Sequence, residues 1–273
     1  MKHKIKIYIA IAVLALPAVS CEKWLDVIPK TMQPSEEMFN TYQGYKDALT
    51  GCYLKMKNRN LWGEHMTITT VEYLAQHWEL WDENEVAEAI KKHEYLDDNV
   101  RPIFQRMYAG LFNVIVQANT IIAAMPKTGE TAIADPDSRG VVEGEAYAIR
   151  ALCHFEVLRL FGQVPGGTRS VRLPFTDGVS REPSRYYDYA DYIRLIEDDL
   201  ITAEKLLFEH DPFVKYTVDA VNNTNAAAGT VRDPFLHYRQ LRLNYWAVKA
   251  LQARFYLYTG ETGKAYAAAN EVI

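Results

Sequence analysis

The stretch that best indicates the fold is GEAYAIRALCHFEVLRLFGQVP, residues 144–165. Its apolar side chains recur at steps of three and four residues, which is the period of an amphipathic helix. They are Ala146, Ile149, Cys153, Val157 and Leu160. Gly162 and Pro165 then interrupt the pattern, as residues at helix ends do. The stretch predicts a helix over 141–161 whose apolar face packs against other helices.

The same period on both sides of this stretch predicts further helices. On the N-terminal side they cover residues 42–57, 70–81 and 83–92, and a long helix runs from Pro102 to just before Pro126. On the C-terminal side they cover residues 185–208, 239–259 and 263–273. Because no stretch shows a convincing strand alternation, the predicted class is all-α.

The last two predicted helices indicate how the helices are arranged. The tetratricopeptide pattern has small and aromatic residues at fixed positions of a helix pair. Ala253, Tyr256 and Ala265 fit it, Gly260 falls at the turn, and Lys249 and Gln252 do not fit. We therefore predict a tetratricopeptide-like helical-repeat scaffold with long irregular loops. The closing proline of the pattern would lie beyond Ile273, so the C-terminal part of the fold is expected to be missing.

Composition and charge exclude some classes of function. The 273 residues are 49% hydrophobic and 24% charged, as in an ordinary globular protein, and the net charge is −5. Residues 1–20 contain three lysines and no acid, so without them 27 basic and 35 acidic residues remain, a charge of −8. Nucleic-acid binding depends on basic residues that neutralise phosphates, so we expect no nucleic-acid partner.

The N-terminus has the order of a secretory signal: three lysines in residues 1–6, an apolar run over 7–16, and small residues before Cys21. Cys21 stands where a bacterial lipoprotein signal has its acylated cysteine, although Ala18 replaces the usual leucine of that signal. We predict a signal peptide over 1–20, lipidation of Cys21 and a lipid-anchored tether over 21–40. The helical domain would cover 41–273. The acylated chain would be anchored to a membrane without spanning it.

Cys52 and Cys153 lie on apolar faces of predicted helices. They could pair in an exported protein, but two buried free thiols fit the faces better. The chain has no C-x-x-C and no H-E-x-x-H motif, and residues 135–140 lack the late acid of an EF-hand. We predict no metal, no cofactor and no catalytic residue. Mid-helix His154 is expected to be packed, and Glu143, Glu145 and Arg150 to have structural roles near a helix start.

Several segments, in order along the chain, resemble the motifs of a known protein family. They are CEKWLDVIP at 21–29, IVQANTII at 115–122, EGEAYAIRA at 143–151 with FGQVP at 161–165, DL at 199–200 and ARFYL at 253–257. Together they resemble the SusD/RagB family of Bacteroidota nutrient-uptake lipoproteins. The first is similar to that family's lipid cysteine and Leu-Asp-x-x-Pro tether, and the third to its Gly-Glu-Ala…Arg-Ala…Phe-Gly-x-Val-Pro signature. The resemblance spans essentially the whole chain.

The resemblance implies a lipid-anchored protein on the outer membrane, exposed at the cell surface. It implies capture of oligosaccharide, without catalysis, and delivery to a TonB-dependent porin of the SusC type. The family is usually much longer, so the resemblance also implies that a C-terminal half is absent from this chain. Two other functions stay open: capture of peptides by the same fold, and a tetratricopeptide scaffold that binds another envelope protein. A glycosidase would need two carboxylates across a cleft, and no pair is singled out.

One short stretch has the residue types of a glycan site. A sugar ring presents apolar C–H faces, which an aromatic ring can cover, and a rim of hydroxyls, which amides and carboxylates can bind. Trp78, Trp81, Asp82 and Asn84 combine these types. We predict that they bind ligand. In the competing interpretation the two tryptophans, three residues apart, form a core-facing stripe on a helix.

Overall fold

In a computed structural model of the protein, the described residues are 35–79, 84–125, 132–180, 182–225 and 230–273. The one-turn helix α1 (Ser35–Met38) ends a first unit of the chain. Residues 39–273 form a second compact unit, and the helical scaffold belongs to this unit. The predicted signal peptide, Cys21 and most of the predicted tether lie outside the described residues, so these assignments stay predictions.

Helices dominate the second unit. Those before the long central loop are α2 (Tyr42–Met56), α3 (Thr70–Leu74), α4 (Glu85–Lys91), α5 (Arg101–Ala124) and α6 (Pro136–Phe161). A minimal strand pair follows, β1 (Leu173–Pro174) and β2 (Tyr186–Tyr187). The later helices are α7 (Tyr189–His210), α8 (Pro212–Lys215), α9 (Val218–Val221), α10 (Tyr245–Thr259) and α11 (Thr262–Val272), with 3₁₀ turns at Pro234–Leu236 and Arg239–Leu241.

The long helices pack in the order in which they occur along the chain. Helix α2 packs on α5, α5 on α6, α6 on α7, α7 on α10, and α10 on α11. Helix α6 lies at the centre, because it also contacts α2 and α10. Most of its residues are buried, including Ile149, Cys153 and Val157. This arrangement confirms the predicted all-α helical-repeat scaffold.

Helices α6 and α7 approach closely because two glycines face α7. A Cβ on Gly144 would lie 2.8 Å from the Leu207 side chain, and one on Gly140 would lie 2.0 Å from the His210 ring. A larger side chain at either position would have to push the helices apart or displace its neighbour. The small residues in the decisive stretch therefore set the spacing between its two central helices.

Side-chain caps explain why some helix ends differ from the predicted ones. Helix α6 begins five residues earlier than predicted, because the Asp135 carboxylate accepts from the Ser138 N–H at 2.8 Å. Helix α7 begins later than predicted, at the N-cap Asp188. Helix α10 likewise starts after its N-cap Asn244, whereas residues 239–241 form a separate 3₁₀ turn.

The two polar residues that did not fit the tetratricopeptide pattern are buried and paired. The Lys249 ammonium donates to the Glu204 carboxylate of α7 at 2.8 Å, and the Gln252 amide donates to the same carboxylate at 2.6 Å. Gly260 forms the turn to α11 with a φ of 85°, a left-handed conformation that suits glycine. A polar link to α7 thus replaces the apolar contacts of the pattern.

Two local predictions are wrong. Residues 173–174 and 186–187 form an antiparallel pair, although no strand was predicted, because two residues are too short to show an alternating pattern. The helix predicted over 70–81 ends at Leu74. Gln76 adopts a left-handed conformation with a φ of 56°, which does not continue a right-handed helix. Residues 77–79 are therefore irregular.

Helix α5 is, among the described residues, the helix long and apolar enough to cross a membrane. It lies between α2 and α6, and Met107, Leu111 and Val114 on it are fully buried in the core. A buried core helix can be as long and as apolar as a membrane-spanning one. We therefore assign α5 to the core of the helical scaffold.

Candidate functional site

Two of the residues predicted to bind ligand, Trp78 and Asn84, are exposed between α3 and α4. Trp78 follows the end of α3, and its side chain is 46% exposed. Its ring meets the Tyr73 ring edge to face, with the centroids 6.4 Å apart. Because α3 ends at Leu74, Trp78 does not belong to a core-facing helical stripe. Trp81 and Asp82 lie outside the described residues, so their predicted roles stay predictions.

Asn84 is exposed and caps α4. Its amide oxygen accepts from the Ala87 N–H at 3.0 Å. The oxygen is thus used in the helix cap, whereas the amide NH₂ can still donate to another group. Asn84 can therefore donate to a ligand hydroxyl, but its cap role means that substitution would also affect α4.

Side-chain bonds hold the segment just before Trp78. The Gln76 amide donates to the Lys91 carbonyl at 3.2 Å, which ties the segment after α3 to the end of α4. His77 contacts the Glu72 carboxylate at 3.0 Å. These contacts hold an exposed indole at a defined place on the surface. Such a ring can cover an apolar ligand face.

A buried ion network, missed by sequence reasoning, ties the first half of the unit to the loop before α10. The Glu145 carboxylate accepts from Arg239 at 2.8 Å, from Arg242 at 3.0 Å and from the Tyr53 hydroxyl at 2.5 Å. Arg239 also donates to Asp211 at 2.7 Å. Burial alone would raise the pKa of Glu145, but the two arginines outweigh it and hold the pKa below its usual value.

A second buried network joins α5, α6 and α7. The Arg150 guanidinium donates to both carboxylate oxygens of Asp199, at 2.7 and 2.6 Å, and to the Asn119 amide oxygen at 2.8 Å. The Asn119 amide NH₂ donates in turn to the Thr176 carbonyl at 2.9 Å. Glu145 and Arg150 therefore have structural roles, but through long-range ion pairs. They lie well inside α6, not near its start.

His154 is packed and uncharged. Its Nδ1 lies 2.8 Å from the Tyr192 hydroxyl, and its ring stacks on Phe175 with the centroids 3.9 Å apart. Burial lowers the pKa of the imidazole to about 3. These contacts agree with the predicted packing role.

The two cysteines of the described chain are free and buried. Burial raises the pKa of the Cys52 thiol to about 12, so this thiol stays protonated. The prediction of two buried free thiols is confirmed, and the alternative of a disulfide is not. Within the described ranges, no group of three or more histidine, cysteine or acidic side chains is placed to hold a metal ion.

Two surface clefts of the described chain are large enough for a small ligand, and neither has Trp78 in its walls. The larger, about 520 Å³, lies at the start of α6 and has both acidic and basic walls. Asp137 and His210 in its wall contact each other at 3.1 Å, and Ser138 donates to Asp233 at 2.9 Å. Its polar groups thus largely bond one another. The smaller, about 370 Å³, lies between the end of α2 and the first half of α5.

These features define a helical-repeat scaffold protein with an exposed aromatic on an irregular surface segment. A family model described as "Starch-binding associating with outer membrane" matches residues 23–232. The chain belongs to this SusD-like family, as its motifs indicated.

Curated relatives and solved structures agree with this assignment. The chain is 26% identical over 196 residues to SusD-like protein P38 of Formosa agariphila. The matched region covers 69% of this chain and 34% of the relative. A SusD superfamily protein from Bacteroides thetaiotaomicron has the same fold, with a TM-score of 0.60, 20% identity, and 85% of this chain and 46% of that one covered. A laminarin-binding SusD-like protein matches with a TM-score of 0.53 at 19% identity, over 85% of this chain and 43% of that one. The chain thus spans about a third of this curated relative.

Proposed function

We propose that the protein is a cell-surface glycan-binding lipoprotein that captures oligosaccharide and delivers it to a SusC-type TonB-dependent porin. Family membership is the observation that carries this proposal, because the family model is described as starch-binding and associated with the outer membrane. The laminarin-binding protein with the same fold is a second precedent for a glycan ligand. In this proposal the protein binds its ligand and does not hydrolyse it.

The exposed surface around Trp78 supports a glycan ligand. Trp78 offers an aromatic face that core packing does not require, and Asn84 offers an amide NH₂. Trp81 and Asp82, adjacent in sequence, would add a second face and a hydroxyl acceptor. Stacking and hydrogen bonding at one place would match the two kinds of surface on a sugar. We therefore propose Trp78, Trp81, Asp82 and Asn84 as ligand contacts.

The proposed place of action is the outer surface of the outer membrane. A lipid on Cys21 would anchor the protein there, and the tether would hold the helical unit next to the porin. The anchor is supported by the lysine-rich start, the apolar run and the small residues before Cys21.

The proposal is tested by three measurements on the full chain. Calorimetry with starch and laminarin oligosaccharides should show binding, and product analysis of the same mixtures should show no cleavage. Affinity capture from outer membranes should recover a TonB-dependent porin. In the calorimetry, Trp78→Ala should weaken binding. Tyr266→Ala is its matched control, because Tyr266 is an aromatic residue that is 72% exposed on α11 and distant from Trp78 in sequence. Binding of peptides but not glycans, or capture of an envelope protein with no ligand binding, would contradict the proposal.

A further inference from the structure

The smaller cleft is an unassigned cavity that combines positive charge, carboxamides and an apolar floor. It has a volume of about 370 Å³, within the range of small-molecule sites. Its walls come from the last turn of α2, the turn after it and one face of α5. The lining residues are Lys55, Asn58, Asn60, Leu61, Arg106, Ala109, Gly110 and Asn113.

The charged groups in this lining are both cations. Lys55 and Arg106 are exposed, and neither makes an ion pair within the part of the chain that the structure describes. The nearby carboxylate of Glu64 is already bound by Arg59 through two nitrogens. Arg106 lies one turn inside the N-terminal end of α5, where a cation gains nothing from the helix dipole. Two uncompensated cations in a chain of net charge −5 leave the cavity able to bind an anion.

The turn that forms one wall is held rigidly by its own hydrogen bonds. The Asn58 carbonyl accepts from the Leu61 N–H at 2.9 Å and from the Gly63 N–H at 3.1 Å. Gly63 is needed there, because a Cβ at this position would lie 2.3 Å from the Lys57 carbonyl oxygen. Leu61 is buried and packs close to Gly110, where a Cβ would lie 3.1 Å from its side chain. The cavity is therefore formed before any ligand arrives, which lowers the entropic cost of binding.

Two asparagines leave one donor and one acceptor for a ligand. The Asn58 amide oxygen accepts from the Asn60 N–H at 2.9 Å, so its NH₂ remains a donor. The Asn113 NH₂ donates to the Ala109 carbonyl at 3.2 Å, so its oxygen remains an acceptor. Hydroxyl groups use donors and acceptors of this kind. Ala109 and Gly110 present a small apolar surface that suits the C–H face of a ring.

We propose that this cavity binds an acidic sugar residue, with the carboxylate of a uronic acid or a sulfate ester between Lys55 and Arg106. The neighbouring hydroxyls would bond Asn58 and Asn113. The inference rests on the proposed glycan-binding function and specifies its ligand class: saccharides that carry negative charge. Bonds to charged groups are stronger than neutral ones, so the two cations would select acidic over neutral units.

The test uses the full chain with three small probes: glucuronate, glucose 6-sulfate and neutral glucose. Ligand-observed NMR titration should show tighter binding of the two anions than of glucose. The double variant Lys55→Gln, Arg106→Gln should weaken anion binding by about tenfold or more. The control Lys57→Gln, Arg101→Gln removes one lysine and one arginine that are close in sequence to Lys55 and Arg106 but do not line the cavity, so anion binding should be unchanged. Raising the salt concentration should weaken the binding of the anions alone.

A second variant tests whether anion binding requires the shape of the cavity or only its positive charge. Ala109→Trp fills the cavity and keeps both cations, and Ala109 is exposed on α5, so the fold should tolerate it. This variant should bind the anions as poorly as the double variant. Wild-type affinity in Ala109→Trp, or equal affinity of the wild type for glucuronate and glucose, would overturn the proposal.

Two further outcomes distinguish the cavity proposal from the proposed function as a whole and from binding of a lipid headgroup. If Trp78→Ala abolishes binding of neutral oligosaccharides and the cavity variants change no ligand, the cavity proposal fails while the proposed function stands. Vesicles with anionic lipid test a headgroup as the source of the negative charge. If they bind through Lys55 and Arg106 and glucuronate and glucose 6-sulfate do not, the saccharide proposal is wrong. Anion selectivity that is lost in both cavity variants supports it.

Discussion

Replacing Arg150 by methionine should destabilise the protein strongly. The substitution keeps an unbranched side chain of similar length but removes the partner of Asp199, which is only 5% exposed. Asp199 would lose two charge-assisted bonds, at 2.7 and 2.6 Å, and Asn119 would lose one. Leaving a buried carboxylate without its partner costs about 3–5 kcal/mol of unfolding free energy.

Two further variants separate the buried charge from the loss of packing. Arg150→Met with Asp199→Leu removes both charges and fills the space with apolar atoms, so it should recover most of the loss. Arg194→Met is the matched control on α7. Arg194 is exposed and pairs with Asp198 at 3.2 Å, and such surface pairs contribute about 0–1 kcal/mol.

The pH dependence of Arg150→Met follows from Asp199. Burial raises the pKa of Asp199 in the folded protein, and Arg150 opposes this rise. Without Arg150 the folded-state pKa rises further above the unfolded value. The folded variant then takes up a proton more readily than the unfolded chain, so its stability should improve, relative to wild type, as the pH falls through that raised pKa.

Urea unfolding followed by circular dichroism at several pH values measures these differences. A loss below about 1 kcal/mol in Arg150→Met would refute the reasoning. So would a double variant no more stable than the single one.

Three other outcomes are expected. Cys21→Ala should leave the precursor uncleaved by lipoprotein signal peptidase and unlabelled by fatty acid; labelling that persists in this variant would show that the lipid is elsewhere. Gly144→Ala should lower the unfolding free energy by about 1–3 kcal/mol, since its Cβ would lie 2.8 Å from Leu207; an unchanged urea midpoint would disprove close contact between α6 and α7. His154 has its pKa lowered to about 3 by burial, so its stabilising contribution is present above the unfolded pKa of about 6.5 and is lost as the pH falls towards 3. His154→Gln should therefore flatten the loss of stability in that window, and a profile parallel to wild type would contradict it.

The long helices could be predicted because their apolar period is strong. Ile149, Cys153 and Val157 on α6 are buried as the pattern predicted. Leu160, assigned to the same face, is only partly buried. It lies near the end of α6, where the helix leaves the core. Periodicity assigns a face but not where that face ends, which depends on the packing of distant elements.

The buried ion networks could not be predicted from local sequence. Glu145 and Arg239 are 94 residues apart, so no spacing rule connects them. One sequence signal did indicate that Glu145 and Arg150 are paired. The helix that carries them is apolar on most sides, so their charges are shielded from solvent and need partners within the protein. The partners themselves are known only once the helices are packed.

The candidate ligand surface was predictable in composition but not in conformation. The residue types around Trp78 indicated a sugar site, yet their spacing fitted a helix equally well. Gln76 decides between the two, because its left-handed backbone leaves Trp78 outside α3. Nothing in the residue type of a glutamine signals this conformation. The cationic cavity also escaped prediction, because it forms only when the turn after α2 packs against α5.

The most direct test of the account is calorimetry of a starch or laminarin oligosaccharide with wild type and Trp78→Ala, together with thermal melting of both. We expect the wild type to bind. Trp78→Ala should lose about 1–3 kcal/mol of affinity, the range known for aromatic stacking on nucleobases. The change in melting temperature should be small, because Trp78 is about half exposed and is not part of the buried core. Unchanged affinity in the variant, or no oligosaccharide binding by the wild type, would contradict the assignment of this surface to glycan capture.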